Sequence, residues 1–210
     1  MTEVKICGLT RAEDVRLACE MGAAYVGFNF AAVSPRRVTV EVCRRLSGAA
    51  APGVARVGVF VEESYETVAQ VCEQARLELV QLHRPLVPED LRRVPRPLIA
   101  VARVGPAGAA VPAAELLACC RALLFDTAAS GSPGGTGIAF DWSALEGLRL
   151  PVPFFLAGGL TAENVAGAVA RVRPGAVDVA SGVESAVGVK DRERMARFFE
   201  AVRRADGASP

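Results

Sequence analysis

The chain has 210 residues, 51% of them apolar, and a formal net charge of +1. That length suits a single domain with a substantial buried core, and the balanced charge argues against a nucleic-acid surface, a disordered charged chain or an acidic tail. The opening "MTEVKICGLTRAEDV" carries charges at Glu3, Lys5, Arg11, Glu13 and Asp14 and no apolar run long enough for a secretory signal or membrane span, so a cytoplasmic protein without membrane or nucleic-acid partners is expected.

In chain order, the first β-rich run is "VKICG" from Val4, and the helix after it should begin just beyond Thr10 and Glu13, which stand in capping-box spacing. Further runs follow: "YVGFNF" from Tyr25, "RVGVFV" from Arg56, "LELVQLH" from Leu77, "LIAVARV" from Leu98, "ALLFDT" from Ala122, "FFLAGG" from Phe154 and "VDVASG" from Val177. Helix-like segments separate them. The shortest, Pro85 to Arg96, has three prolines and room for only a stunted helix. The last, from Lys190 to about Ala205, has Met195, Phe198, Phe199 and Val202 at i, i+3, i+4 and i+7, one apolar stripe to lay against a sheet. Residues 206–210 read as a flexible tail. Eight such βα units in residues 1–205 fit a compact single-domain (β/α)8 TIM barrel, with an open doubly wound sheet as the alternative.

The six cysteines, Cys7, Cys19, Cys43, Cys72, Cys119 and Cys120, sit in apolar patterns without a CxxC pair, and His83 is the sole histidine. A disulfide framework, a zinc centre or any site needing several imidazoles is therefore not expected, and no metal is assigned.

In a parallel barrel, chemistry gathers at the C-terminal strand ends, where this sequence places Cys7, Asn29, His83, Arg103, Asp126 and Asp178 with Ser181. Cys7 is the only cysteine so placed; the bland alternative is an inert core thiol. Strand alternation puts Lys5 on the face of Cys7, where an ammonium would favour the thiolate, unless Lys5 serves a structural ion pair. Asp126 ends an apolar strand and is followed by a loop with Gly131, Gly134, Gly135 and Gly137 that could close over a ligand. "AGGLT" and "ASGVE" put Gly158, Gly159, Ser181 and Gly182 before helix starts, which suits a phosphate, although tight turns alone would also explain the glycines. His83 could face a ligand or simply close a strand end. Arg36, in the loop after strand two, could fork onto a carboxylate.

"KICGLTRAEDV", "SPRRVT", "QLH", "FDTAASGSPGGTGIAFDW", "LAGGLTAENV" and "VDVASGVESAVGVKD" together resemble the phosphoribosylanthranilate isomerase family of tryptophan biosynthesis, from Lys5 to Asp191. The resemblance implies an Amadori rearrangement of N-(5-phosphoribosyl)anthranilate without a cofactor. It implies Asp126 as general acid, Cys7 as general base, Arg36 on the substrate carboxylate, and His83 and Asp178 facing the substrate. Gly158, Gly159, Ser181 and Gly182 would hold the phosphate, and the chain would be a monomer or homodimer. Two rivals are the Amadori isomerase of histidine biosynthesis, whose family has an aspartate where Cys7 stands, and a non-catalytic phosphate-binding barrel.

Overall fold

The computed structural model describes residues 1–105, 108–127 and 141–207. Eight strands form the frame: β1 (Glu3–Ile6), β2 (Tyr25–Asn29), β3 (Ala55–Phe60), β4 (Leu79–Leu82), β5 (Leu98–Gly105), β6 (Ala122–Thr127), β7 (Phe154–Leu156) and β8 (Ala176–Val179). Each pairs in parallel with its sequence neighbours, and β1 pairs with β8, Lys5 opposite Asp178. The sheet is closed, so the open doubly wound alternative, which would leave edge strands, does not apply.

Alternation sorts the side chains. Val4, Ile6, Val26, Phe28, Phe60, Val80, Leu82, Leu123, Phe125, Leu156, Val177 and Val179 face the helices and join the larger apolar core. Tyr25, Val57, Leu79, Ile99, Leu124 and Phe155 fill the lower lumen as a separate cluster. Further up the same lumen-facing rows come Cys7, Asn29, His83, Arg103, Asp126 and Asp178. The lumen is thus an apolar plug beneath a polar mouth, because a period of two along each strand carries both.

Seven α-helices lie among the described residues: α1 (Ala12–Glu20), α2 (Val40–Ser47), α3 (Tyr65–Gln74), α4 (Pro88–Arg93), α5 (Ala114–Leu117), α6 (Val165–Val172) and α7 (Arg192–Gly207). The Thr39 and Ser64 hydroxyls cap α2 and α3 by accepting from the N–H groups of Val42 and Thr67. The prolines confine α4 to six residues, as expected. Between β6 and β7 the described residues hold only a 3-10 turn, Trp142–Leu145, where a full helix was expected. The capping box expected at Thr10 is also absent: Arg11 occupies the cap position without a side-chain bond, and the Thr10 hydroxyl donates instead to the carbonyl of Gly188 at 2.6 Å. A long-range tie has displaced the local one.

Helix α7 buries Met195, Phe198, Phe199 and Val202, each contributing about 1.5–3 kcal/mol by leaving water. It runs on to Gly207, and the Asp206 carboxylate accepts from the backbone N–H and hydroxyl of Thr2 at 2.6 and 2.8 Å. The first residues of the expected tail are therefore helical; residues 208–210 lie outside the described residues. Among the described residues no helix is long and apolar enough to cross a membrane.

Candidate active site

At the C-terminal mouth of the barrel is a cavity of about 290 Å³ whose wall includes Cys7, Arg36, His83, Asp126, Asp178, Gly158, Gly159, Ser181 and Gly182. The nine residues assigned roles from the sequence therefore meet in one place, whereas Arg103, also expected at a strand end, is not among the lining residues. Asn29 and Gln81 join them. The glycine-rich loop expected to close over a ligand lies outside the described residues.

Asp126, next to last in β6, is buried, with 7% of its surface exposed. Burial, reinforced by the charge of Asp178, pushes its pKa up to about 6, against the opposing N–H of Thr127, which donates to Oδ1 at 2.9 Å, and the charges of Arg103 and Lys5. A carboxyl in this range is a competent proton donor near neutrality. Its neighbour Gly158 has φ +84°, and a Cβ there would stand 2.2 Å from Thr127 Oγ1 and 3.2 Å from Asp126 Oδ1. Only glycine lets the loop after β7 pass so close to the acid.

Cys7 follows β1 with its thiol in the lumen, 4.0 Å from Asn29 Oδ1. Lys5 shares that face, as expected. Its ammonium, fully buried, donates to Asp178 Oδ1 at 3.0 Å, so the structural ion pair is real. Lys5 does favour the thiolate, as expected, but burial raises the Cys7 pKa by more and Asp178 raises it further, so the net direction is upward despite Lys5 and Lys190. In the resting site the thiol keeps its proton.

His83 both lines the cavity and closes its strand end, so the two readings weighed from the sequence coexist. Gln81 Nε2 lies 2.6 Å from His83 Nε2, leaving His83 Nδ1 and Gln81 Oε1 as buried polar atoms without partners among the described residues. Burial, with the charges of Lys5 and Arg103, pushes the imidazole down to about 3. The ring is neutral, and with Gln81 it presents a donor and an acceptor rather than a cation. Arg84, just beyond, turns to Asp90 at 2.8 Å and over the ring of Tyr65.

Arg36 is held by its neighbours. Nε and Nη2 donate to Glu184 Oε1 and Oε2 at 2.8 and 2.7 Å, and the pair is buried. Nη1 makes no bond among the described residues, and Arg36 lines the cavity. Glu184 in turn accepts from Lys190 Nζ at 2.9 Å. Sequence reasoning missed Glu184, Lys190 and Gln81; the signal was two opposite charges flanking a Gly188 turn in "ESAVGVK", a hairpin that sets Glu184 opposite Lys190.

The loops after β7 and β8 pack face to face: a Cβ on Gly182 would stand 2.0 Å from the carbonyl oxygen of Leu160. The backbone N–H groups of Gly159, Ser181 and Gly182 have no protein acceptor among the described residues. Arg194 and Arg197 of α7 line the cleft that continues beneath them. Free N–H groups and nearby guanidinium groups are what a phosphate needs.

Residues 4–201 match the family described as N-(5'-phosphoribosyl)anthranilate (PRA) isomerase. A relative of that name from Pseudomonas putida is 45% identical over 201 residues, covering 96% of this chain and 97% of its own length. The crystal structure of phosphoribosyl anthranilate isomerase from Thermus thermophilus superposes with a TM-score of 0.83 at 36% identity, covering 97% of this chain and 99% of that one. Another structure of the enzyme, in complex with reduced 1-(o-carboxyphenylamino)-1-deoxyribulose 5-phosphate, superposes with a TM-score of 0.80 at 35% identity over the same shares.

Proposed function

Because the chain belongs to the N-(5'-phosphoribosyl)anthranilate isomerase family and catalyses that isomerisation in tryptophan biosynthesis, we propose that the cavity at the mouth of its barrel performs the reaction with Asp126 as acid and Cys7 as base. The observation that carries these roles is that both groups line one cavity and burial raises the pKa of each, so that a carboxyl is brought near neutrality while a thiol needs a reason to ionise.

The sequence of events supplies the reason. The carboxyl of Asp126 gives its proton to the ribose ring oxygen, the C1′–O bond breaks, and the nitrogen lone pair forms a C1′=N iminium. The pair holds one proton, which in the reacting tautomer has passed from the thiol to Asp126, so Cys7 is the thiolate that the cationic iminium then stabilises beside it. Cys7 then takes the C2′ proton, and the C–H electron pair becomes the C1′=C2′ bond of a neutral enolamine. Tautomerisation of the enol to the ketone, with a proton returned to C1′, gives 1-(2-carboxyphenylamino)-1-deoxyribulose 5-phosphate. The iminium is the electron sink, so these steps call on no cofactor. Asp178, fixed by Lys5, and the neutral Gln81–His83 pair face the sugar and the aromatic amine as hydrogen-bonding partners. The free edge of Arg36 receives the carboxylate.

The two pKa directions predict the pH profile of kcat/KM. The productive state has one proton shared between Asp126 and Cys7, which below about pH 6 both hold. Activity should therefore rise tenfold per pH unit up to about 6, run flat above it, and fall only beyond the raised pKa of Cys7. The acidic limb belongs to Asp126, the reverse of the assignment that a thiolate readily formed beside Lys5 would give. An acidic limb at pH 8 or higher, abolished by replacing Cys7, would show the opposite order.

For the phosphate, Gly159, Ser181 and Gly182 offer the free N–H groups, with Gly158 placing the loop. Gly182→Ala forces a Cβ against Leu160, and the reduced product analogue should bind at least tenfold more weakly, about 1.4 kcal/mol, in a calorimetric titration. Unchanged affinity would put the phosphate elsewhere. A direct assay tests the function as a whole: freshly prepared phosphoribosylanthranilate should lose its anthranilate-type fluorescence on addition of the chain, and persistence of that fluorescence above the uncatalysed rate would refute it.

A further inference from the structure

A guanidinium carries five N–H donors on two bidentate edges. In Arg36 the edge formed by Nε and Nη2 is occupied by Glu184, the edge that includes Nη1 makes no bond among the described residues, and the residue lines the cavity. Arginine suits this position because one planar group serves two carboxylates at once. We propose that Glu184, braced by Lys190, is the positioning residue that turns the free edge of Arg36 toward the substrate carboxylate; this rests on the reading of Arg36 given above.

Three observations carry it. First, Glu184 is fixed from two sides. Lys190 Nζ reaches Glu184 Oε1 at 2.9 Å, the carbonyl of Cys7 at 2.7 Å and the carbonyl of Ala180 at 3.0 Å. Three acceptors match the three N–H donors of an ammonium, and the charge of Glu184 supports that form against the burial that lowers the Lys190 pKa. Second, those acceptors belong to different parts of the site. The carbonyl of Cys7 sits on the base, that of Ala180 immediately precedes the phosphate loop, and Glu184 holds Arg36. Lys190 thus locks the carboxylate clamp in register with the other two. Third, the charges do not cancel. Two cations, Arg36 and Lys190, flank the one carboxylate of Glu184, and the donors left open in the triad are on the other edge of Arg36, a residue that lines the cavity. A second carboxylate at that edge completes the balance.

The stem of Arg36 is held too: Gly8 has φ +70°, and a Cβ there would stand 2.4 Å from Arg36 Cδ. With both stem and head constrained, the rotamer freedom of a long side chain is lost before the substrate arrives, and binding does not have to supply it.

The test uses two ligands that do not turn over: the reduced product, 1-(2-carboxyphenylamino)-1-deoxypentitol 5-phosphate, and its 1-phenylamino counterpart without the carboxyl. Their dissociation constants are measured by calorimetry on wild type, Arg36→Ala, Glu184→Gln and Glu184→Asp. Glu184→Asp keeps the charge that balances Lys190 and so guards against a folding failure of the glutamine variant, while its shorter stem cannot span both nitrogens. Wild type should prefer the carboxylated ligand. Arg36→Ala should abolish that preference, and each Glu184 variant should cut it roughly tenfold, with the phenylamino ligand held within about twofold of wild type. Equal weakening of both ligands by the Glu184 variants would make Glu184 merely structural and overturn the proposal. Full preference retained in both Glu184 variants, with Arg36→Ala deficient, would overturn it while leaving Arg36 in place. Preference retained in Arg36→Ala would overturn the reading of Arg36 itself, and the proposal with it.

Discussion

Asp126→Asn should lower kcat at least roughly 100-fold while leaving the protein as stable as wild type or more so. The amide matches the carboxylate in shape and can still accept from the N–H of Thr127, so the loop geometry around Gly158 survives. It cannot deliver a proton to the ring oxygen, and ring opening stalls. The stability half follows from linkage. The folded pKa of about 6 lies above the ordinary 3.8, so the folded state holds a proton that the unfolded chain has lost. Asp126 is therefore neutral in its stability effect below the unfolded value, costs stability progressively as pH rises through the folded one, and above that costs on the order of 2–3 kcal/mol. Asparagine removes this cost. Melting temperatures at pH 8 and pH 4 should show the variant ahead of wild type at the higher pH and level with it at the lower. Lost activity combined with lost stability would mean that the carboxylate supports the fold, and its place as the acid would be undermined.

The barrel was legible because one signal, the period of two within short β-rich runs separated by helix-like segments, is repeated around the whole ring. The same signal located the site. Cys7 and His83 directly follow their strands and Asp126 and Asp178 are the last lumen-facing residues within theirs, so a correct strand assignment put them at the mouth without any knowledge of contacts. What stayed hidden depends on partners far apart in the chain. Glu184 lies 148 residues from Arg36, and nothing local marks an ordinary Glu in "ESAVGVK" as the anchor of an arginine in another loop. Thr10 fits a capping box, yet its hydroxyl bonds Gly188, 178 residues on. The ionisation of Cys7 misled for the same reason: alternation correctly placed Lys5 beside it, but burial in the closed barrel raises the thiol by more than Lys5 lowers it, and Asp178, on a strand at the other end of the sequence, pairs with the ammonium and adds its own negative charge. Spacing reveals which groups are neighbours along a strand; how a charge is shared among three strands is decided only when the sheet closes.

Cys7→Ser should be at least as damaging as Asp126→Asn, again roughly 100-fold or more in kcat, through the other half of the reaction. Serine fits the space, which Gly27 keeps open opposite the thiol: a Cβ on that glycine would stand 2.9 Å from Cys7 Sγ. The chemistry does not carry over. The cationic iminium can help a thiol lose its proton in a buried pocket, but a hydroxyl starts far higher, and the nearby ammonium groups offer no substitute. Lys5 is bound to Asp178, and Lys190 has all its donors engaged. Ring opening by Asp126 remains possible, so the variant should halt at C2′ deprotonation. A deuterium at C2′ then gives the decisive measurement: the isotope effect on kcat should be large for Cys7→Ser and close to unity for Asp126→Asn, whose slow step precedes any C–H cleavage. The reduced product analogue should bind both variants nearly as well as wild type, since neither change touches Arg36, Glu184 or the phosphate loops. Equal isotope effects in the two variants would mean that one group performs both transfers, and the division of labour between acid and base would have to be abandoned.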